Sequence, residues 1–457
     1  MSKLIRTFKQ NNNDFCYNYQ EVNKMNNNET LQLAKLVNIT AINIDTENQG
    51  PDTNAWITIS LNNTLDYPIA VTASVVLKHN DEVEKIELIE NLEPGYNELD
   101  LVIRIEEPHF WNPKTYGEAS VYTCLVGIRA QDEVQDVSEK LFAIRDIEIL
   151  AERLTVNSQT IFIKASHIPA NSSLDLIASL SQAGFNTLIY SGAVSSDLRN
   201  AADYAGMLLI PAGFIEDEHL MYISTDNPFE MAREITKRRL GKSDCWGVVF
   251  TDKQLSSLID ANNNPLHAYF KAKHAFVNPA LGFFDEEEIV RLYVCMESPK
   301  QSVQIDLGIL EASTGTIHAQ PFDVFIEPHQ PTAVWEADNV KQAISDPYNE
   351  IVLAILKLND KILAKSFYTL VPENKIKLQP AKLFIERVLS EDNEMTLNIK
   401  VDNYAPQIFI GNPLNDIKAT DNYIELIPGE NHLVTISNIS EEDSAKLTFE
   451  VSQEIFS

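Results

Sequence analysis

The sequence predicts a multidomain chain, mostly antiparallel β-sheet, interrupted once by a parallel α/β segment. Period-two runs such as AWITISLNNT and IAVTASVVLKH recur over residues 35–150, at short spacing and without helical periodicity. Residues 151–276 change to alternating strand and helix, the order of parallel α/β structure. Beyond residue 277 the period-two runs return. The chain has 457 residues, enough for several domains, and only 15 glycines, which argues against a chain built on tight hairpins or phosphate-cradling loops.

Taken in order, residues 1–34 are polar and Asn-rich, with NNN at 11–13 and again at 26–28. They read as an arm, either disordered or docked on a partner. Residues 35–150 then form a sandwich whose one long irregular loop is EEPHFWNPKTYG at 106–117. In the α/β segment, IFIKAS is a strand. Ser172 and Ser173 are placed to cap the helix LDLIASLSQAG, and Gly184 stops it before the strand FNTLIYSG. The helix SSDLRNAADYAG and the strand MLLIPAG follow. The next pair is NPFEMAREITKRRLG, with Pro228 in its first turn, and CWGVVFTD. NPLHAYFKAKHAF is a last helix at about 264–276. The remaining runs divide near PENKIKLQP into two further sandwiches, 277–372 and 376–457.

The formal net charge is −30, with 36 Lys and Arg against 66 Asp and Glu. Such a surface repels nucleic acid and anionic membranes, so neither is expected as a partner. The four cysteines, Cys16, Cys124, Cys245 and Cys295, are scattered without a CxxC pair, and neither a metal site nor a disulfide framework is expected. Cys124 and Cys295 lie in apolar runs and read as buried thiols. The N-terminus has no signal-peptide core and no segment reaches transmembrane length. The expectation is a soluble protein, cytoplasmic or part of an assembly, without membrane insertion.

Several stretches, in serial order, carry a family resemblance. FWNPKTYGEASVYT (110–123) with FAIRDIEI (142–149) is the first, and FIKASHIPANSS leading to QAGFNT the second. IDANNNPLHAYFKAKHAF (259–276) is the third, followed by SFYTLVPENKIKL (366–378) and DNYIELIPGE (421–430). Together they resemble glycoside hydrolase family 2, and within it the β-mannosidases. The resemblance implies three immunoglobulin-like antiparallel β-sandwiches and a β/α barrel. It also implies a carboxyl pair at the ends of the fourth and seventh barrel strands, since retaining glycosidases need a nucleophile and an acid/base.

The barrel implied is truncated. Residues 151–276 supply about half of the roughly 250 residues that a closed barrel uses. Two alignments of KRRLGKSDCWGVVFTDKQ (237–254) are open. If Arg238, Arg239 and Leu240 anchor the fourth strand, Gln254 stands at the acid/base position and Lys253 at the preceding Asn, and Gln cannot transfer the proton. On either alignment the short length leaves the strand of the nucleophile absent. If CWGVVF is instead the eighth strand, the acid/base strand is absent altogether. Ile189 and Ser191 stand where the family has Arg and Trp on its second strand, and Pro211 and Ala212 replace the acidic end of its third.

No residue is therefore assigned to catalysis, and no cofactor or metal is expected. Asp244, Asp252, Glu216, Asp217 and Glu218 lie near strand ends, as loop acids on an acid-rich chain or as recruits of a cryptic hydrolase. His167, Asp252, Trp111 and Tyr116 are the candidate ligand or partner contacts; for the two aromatics, packing of the loop on its own barrel is the alternative. Trp246 reads as core, and His219 and His267 lack metal-ligand spacing. The function expected is a scaffold, assembly or binding protein that has lost glycosidase catalysis. Its expected partners are a homo-oligomer or a larger protein assembly, and carbohydrate. A degenerate or partner-completed β-glycosidase is the alternative, and a carbohydrate-binding module the second.

Overall fold

The computed structural model describes residues 35–150, 153–215, 219–241, 246–286, 289–297, 301–338, 340–389, 394–411, 418–437 and 439–452. The arm 1–34, the acids Glu216, Asp217, Glu218 and Asp244, and the cysteines Cys16 and Cys245 lie outside them. The chain divides into two compact units. One comprises residues 1–112 and 118–146, and the other residues 113–117 and 147–457.

In the first unit two antiparallel sheets share one core. The three-stranded sheet is ordered Val37–Gln49, Asp52–Asn63, Gly95–Ile105; the four-stranded sheet is ordered Glu82–Leu92, Ile69–His79, Tyr122–Ala130, Glu133–Phe142. Alternation decides what enters the core. Ile57, Ile59 and Leu61 of one sheet, and Val71, Ala73, Val75 and Leu77 of the other, are buried at every second position.

The second unit contains the α/β segment. Its strands are β1 (Ile163–Ile168), β2 (Thr187–Tyr190), β3 (Leu208–Pro211), β4 (Leu220–Tyr222) and β5 (Gly247–Phe250). Its helices are α1 (Leu174–Gln182), α2 (Ser196–Tyr204), α3 (Pro228–Leu240), α4 (Asp252–Leu258) and α5 (His267–Ala275). The local signals act where the sequence put them. Ser173 Oγ accepts from Leu176 N at the start of α1, and Asn227 Oδ1 accepts from Phe229 N ahead of Pro228 in α3. Gly184 takes a φ of +90° just past α1, a conformation costly for any side chain with a Cβ. The short strand β4 and the helix α4 were not expected from the sequence.

All strand pairs in this sheet are parallel, in the order β3-β2-β1-β5-β4. β5, the last strand in sequence, pairs directly with β1, the first. A Cβ on Gly247 would collide with the Ile163 backbone and side chain, so this close pairing requires glycine there. The segment expected as a half barrel is thus a five-stranded parallel sheet with β3 and β4 at its edges.

Two more pairs of sheets follow. Ala280–Glu286, Ile289–Cys295 and Thr332–Asp338 share a core with the four-stranded sheet Ile317–Ile326, Gln301–Glu311, Glu350–Leu358, Lys361–Tyr368. In the C-terminal pair, Leu397 and Ile436 from one sheet meet Ile408 and Leu426 from the other. Among the described residues no helix is long and apolar enough to cross a membrane.

A buried ionic cluster joins these elements. Glu297 Oε2 accepts from Lys164 Nζ of β1 at 2.7 Å, and Glu297 Oε1 from Arg239 of α3 at 2.8 Å. Thr115 Oγ1 donates to the same carboxylate at 2.7 Å. Arg239 also donates to the carbonyls of Ala275 and Val277, and Asn278 Oδ1 accepts from Glu297 N. All three charged side chains are buried. Burial alone would raise the Glu297 pKa, but Lys164 and Arg239 outweigh it and hold the carboxyl below its usual range. Burial lowers the Lys164 pKa to about 8; Glu297 pulls it back up, and the neighbouring Arg239 charge pushes it down.

Glu297→Ala leaves two buried cations unpaired and is expected to cost ~3–5 kcal/mol, against ~1–3 for Thr115→Ala. Urea unfolding of the two variants checks the ranking. Gly247→Ala is expected to destabilise by ~1–3 kcal/mol through the clash with Ile163, read by the same assay.

Candidate functional site

In parallel α/β sheets, ligands and chemistry collect at the carboxyl ends of the strands. Here that edge carries His167 near the end of β1, Tyr190 on β2 and Tyr222 on β4, with Thr251 to Gln254 following β5. His167 is half-buried. Its ring lies 6.1 Å from that of Tyr222, and its Nε2 is buried without a hydrogen-bond partner. Ile223, Ser224 and Thr225 follow β4 before Asp226, whose carboxylate pairs with Lys253 Nζ at 2.8 Å on the surface.

Asp252 is exposed and opens α4. Gln254 is buried and accepts a hydrogen bond from Thr251 Oγ1. The first alignment requires β5 to be a fourth strand, separated from the first by two others. The register instead sets β5 against β1, so Lys253 and Gln254 do not stand at the end of such a strand.

The two aromatic candidates are corrected by burial. Trp111 is fully buried in the first unit, with the Arg145 guanidinium 4.5 Å from its ring centroid. Tyr116 is buried in the second unit. Its hydroxyl accepts from Phe162 N at 2.8 Å, its ring stacks on His329, and burial pushes its pKa well up. Neither ring faces solvent, so neither offers a platform for a ligand. Residues 113–117 are instead packed on the α/β segment: Lys114 Nζ donates to Ser181 O at 2.8 Å, and Lys114 N to Gly206 O. Trp246 is buried and stacks on His219 at 4.1 Å.

Cys124 and Cys295 are free thiols, buried and half-buried, and burial raises their pKa to about 12 and about 11. Among the described residues no group of three or more His, Cys, Asp or Glu is arranged to hold a metal. A cleft of about 310 Å³ is lined by Arg233, Thr369, Pro372, Glu373 and Asn374. Its one carboxylate, Glu373, is paired with Arg233.

Sequence reasoning passed over the contacts between α5 and the C-terminal sheets. Asp421 bridges His274 Nε2 at 2.7 Å and His432 Nε2 at 3.0 Å. Burial would raise the Asp421 pKa, but His274 and His432 outweigh it and hold the carboxyl far below its usual range. His267 stacks on Tyr423 at 3.9 Å, and burial with nearby Lys271 lowers its pKa to about 4. The signal for these contacts was three histidines, His267, His274 and His432, which have no identifiable partner until the chain folds.

Residues 37–145 match the model described as glycosyl hydrolases family 2. The fold is similar to that of a β-D-mannosidase from Dictyoglomus thermophilum, with a TM-score of 0.73 and 13% identity over 91% of this chain and 76% of that one. That family match lies within the first sandwich, and the likeness to the β-mannosidase is one of fold. The fold is also similar to that of an exo-chitosanase from Amycolatopsis orientalis, with a TM-score of 0.65 and 11% identity over 91% of this chain and 78% of the other. No curated protein matches the chain in sequence.

His267 is expected to stay neutral until about pH 4 in an NMR titration. Asp421 binds its proton less tightly folded than unfolded. Its stabilising contribution is therefore complete above the ordinary Asp pKa of about 3.9 and is lost as pH falls below it. Melting temperatures from pH 6 to 3 should fall less steeply for Asp421→Asn than for the parent.

Proposed function

We propose that this chain is a family 2 architecture that no longer hydrolyses glycosides and serves as a binding or assembly scaffold. The observation that carries the reading is the place of β5 beside β1. Counted as a barrel, β1, β2 and β3 correspond to its first three strands, and β4 and β5 to its seventh and eighth. Only residues 212–219 stand between β3 and β4, where three strand–helix units would be needed. On this count the absent strands include the fourth, which carries the acid/base in the family. On the same count the seventh is represented by β4, where the length of the segment had predicted that the nucleophile's strand is absent. Its carboxyl end leads through Ile223, which is buried, to an Asp226 already paired with Lys253. Two opposed carboxyl groups across a sugar are thus not supplied by this count.

The scaffold role is supported by the edges of the sheet. Among the described residues β3 and β4 each have one side without a strand partner, and such edges are usually covered by another segment or chain. An oligomer or a larger assembly follows from this reading. A second reading, a degenerate or partner-completed glycosidase, is favoured by the acids Asp226 and Asp252 beside β4 and β5, and by the names of the similar structures, β-mannosidase and exo-chitosanase. A carbohydrate-binding module is less supported, because Trp111 and Tyr116 are buried.

The purified chain is expected to release no nitrophenol from nitrophenyl β-mannoside or β-glucosaminide above the buffer rate. Turnover that disappears in Asp226→Asn or Asp252→Asn would establish the glycosidase reading. Turnover only on adding a second chain would establish the partner-completed form.

A further inference from the structure

In the three-stranded sheet of the first unit, Asp52–Asn63 is the middle strand. Ala55, Ile57, Ile59 and Leu61 point into the core, so Asn54, Trp56, Thr58, Ser60 and Asn62 point out. Trp56 keeps 46% of its surface exposed. The ladder fixes its neighbours. Asp45 lies opposite it on one side and Val102 on the other, and Asn54 and Thr58 flank it along the strand. Glu47, Asn43, Arg104 and Asp100 stand on the diagonals. Val102 is the one apolar group among them. A second exposed aromatic, Tyr96, lies opposite Asn62, about 20 Å along the strand from Trp56. Its hydroxyl donates to Glu98, beside Ser60.

This is a mixed face, and the mixture indicates the ligand. A protein interface gathers apolar side chains at its centre. Here a single indole is set among hydrogen-bonding groups. A sugar ring suits that setting, because its C–H face packs on an aromatic ring while the hydroxyls around its rim donate to acceptors. Asn43 and Asn54 supply amide oxygens, and Asp100 Oδ1 accepts from Thr58 Oγ1 at 2.7 Å with its other oxygen left over. Charge narrows the class further. Arg104, the one cation beside Trp56, is paired with Asp52, so the exposed carboxylates Asp45, Glu47 and Asp100 stand unbalanced on this face. They disfavour an acidic ligand and admit a neutral or basic one. The distance to Tyr96 calls for a chain of sugars and not a single unit.

We propose that the outward face of the three-stranded sheet binds an oligosaccharide free of acid groups, stacked on Trp56 and running toward Tyr96. The site is separate from the buried loop aromatics Trp111 and Tyr116. It rests on the binding side of the function proposed above, and its failure would leave the expected absence of nitrophenyl turnover standing. The full chain is titrated calorimetrically with a neutral probe, a β-1,4-linked mannose pentamer, a basic one, a glucosamine pentamer, and an acidic one, a galacturonate pentamer. The neutral or the basic probe is expected to bind about ten-fold or more tighter than the acidic one. Trp56→Ala should weaken that binding about ten-fold or more, and Trp56→Tyr less than about three-fold. Tyr67→Ala, which removes an exposed aromatic elsewhere in the unit, should leave it unchanged. No binding of any probe to the parent, equal binding by Trp56→Ala, or preference for the acidic probe would each overturn the proposal. If the parent binds none of them and Trp56→Ala breaks up an oligomer in light scattering, the face is a protein interface instead.

Discussion

The second unit depends on one buried carboxylate. Glu297 receives Lys164 from β1, Arg239 from α3 and Thr115 from the loop 113–117, and its own backbone N–H is held by Asn278. A buried ion pair of this kind adds little net stability over an apolar replacement, because desolvation offsets the attraction. Its effect is on specificity. Four segments distant in sequence must meet within hydrogen-bonding distance of two oxygens, and any other packing leaves a charge buried and unpaired.

That constraint bears on the parallel sheet. α3 precedes β5, so the cluster ties the helix before the last strand to the first strand. In a closed barrel the circle of strands would impose this neighbour relation by itself. In a sheet with two edges it has to be secured by other means, and the Lys164–Glu297–Arg239 contact together with the Gly247–Ile163 approach does so. The same contact brings in Thr115, which explains why residues 113–117 belong to the second unit although the chain on either side belongs to the first.

The polar contacts of the second unit are therefore concentrated where elements join. Glu297 is one such point and Asp421 between two histidines is another. The carboxyl ends of the strands, by contrast, carry an unpartnered His167 nitrogen, two half-buried tyrosines and surface acids. This distribution suits a chain whose charged side chains organise domains more than they organise a reaction, in keeping with the scaffold reading.

The sequence by itself determined the local elements. Period-two runs marked the strands of the sandwiches, and Ser173, Asn227, Pro228 and Gly184 marked helix ends, because these signals act through neighbouring backbone groups. The family resemblance was also legible, in stretches whose order survives little overall identity. Only the tertiary structure decided which strand β5 pairs with, since the sequence suited a fourth and an eighth strand equally and pairing is set by contacts far along the chain. It also turned Trp111 and Tyr116 inward, supplied the three-residue strand β4, too short for any periodicity, and gave Lys164, Arg239 and Glu297 to one another. Burial and long-range pairing depend on residues far apart in the chain, 133 positions for Lys164 and Glu297 and 182 for Thr115 and Glu297, and no local pattern encodes them.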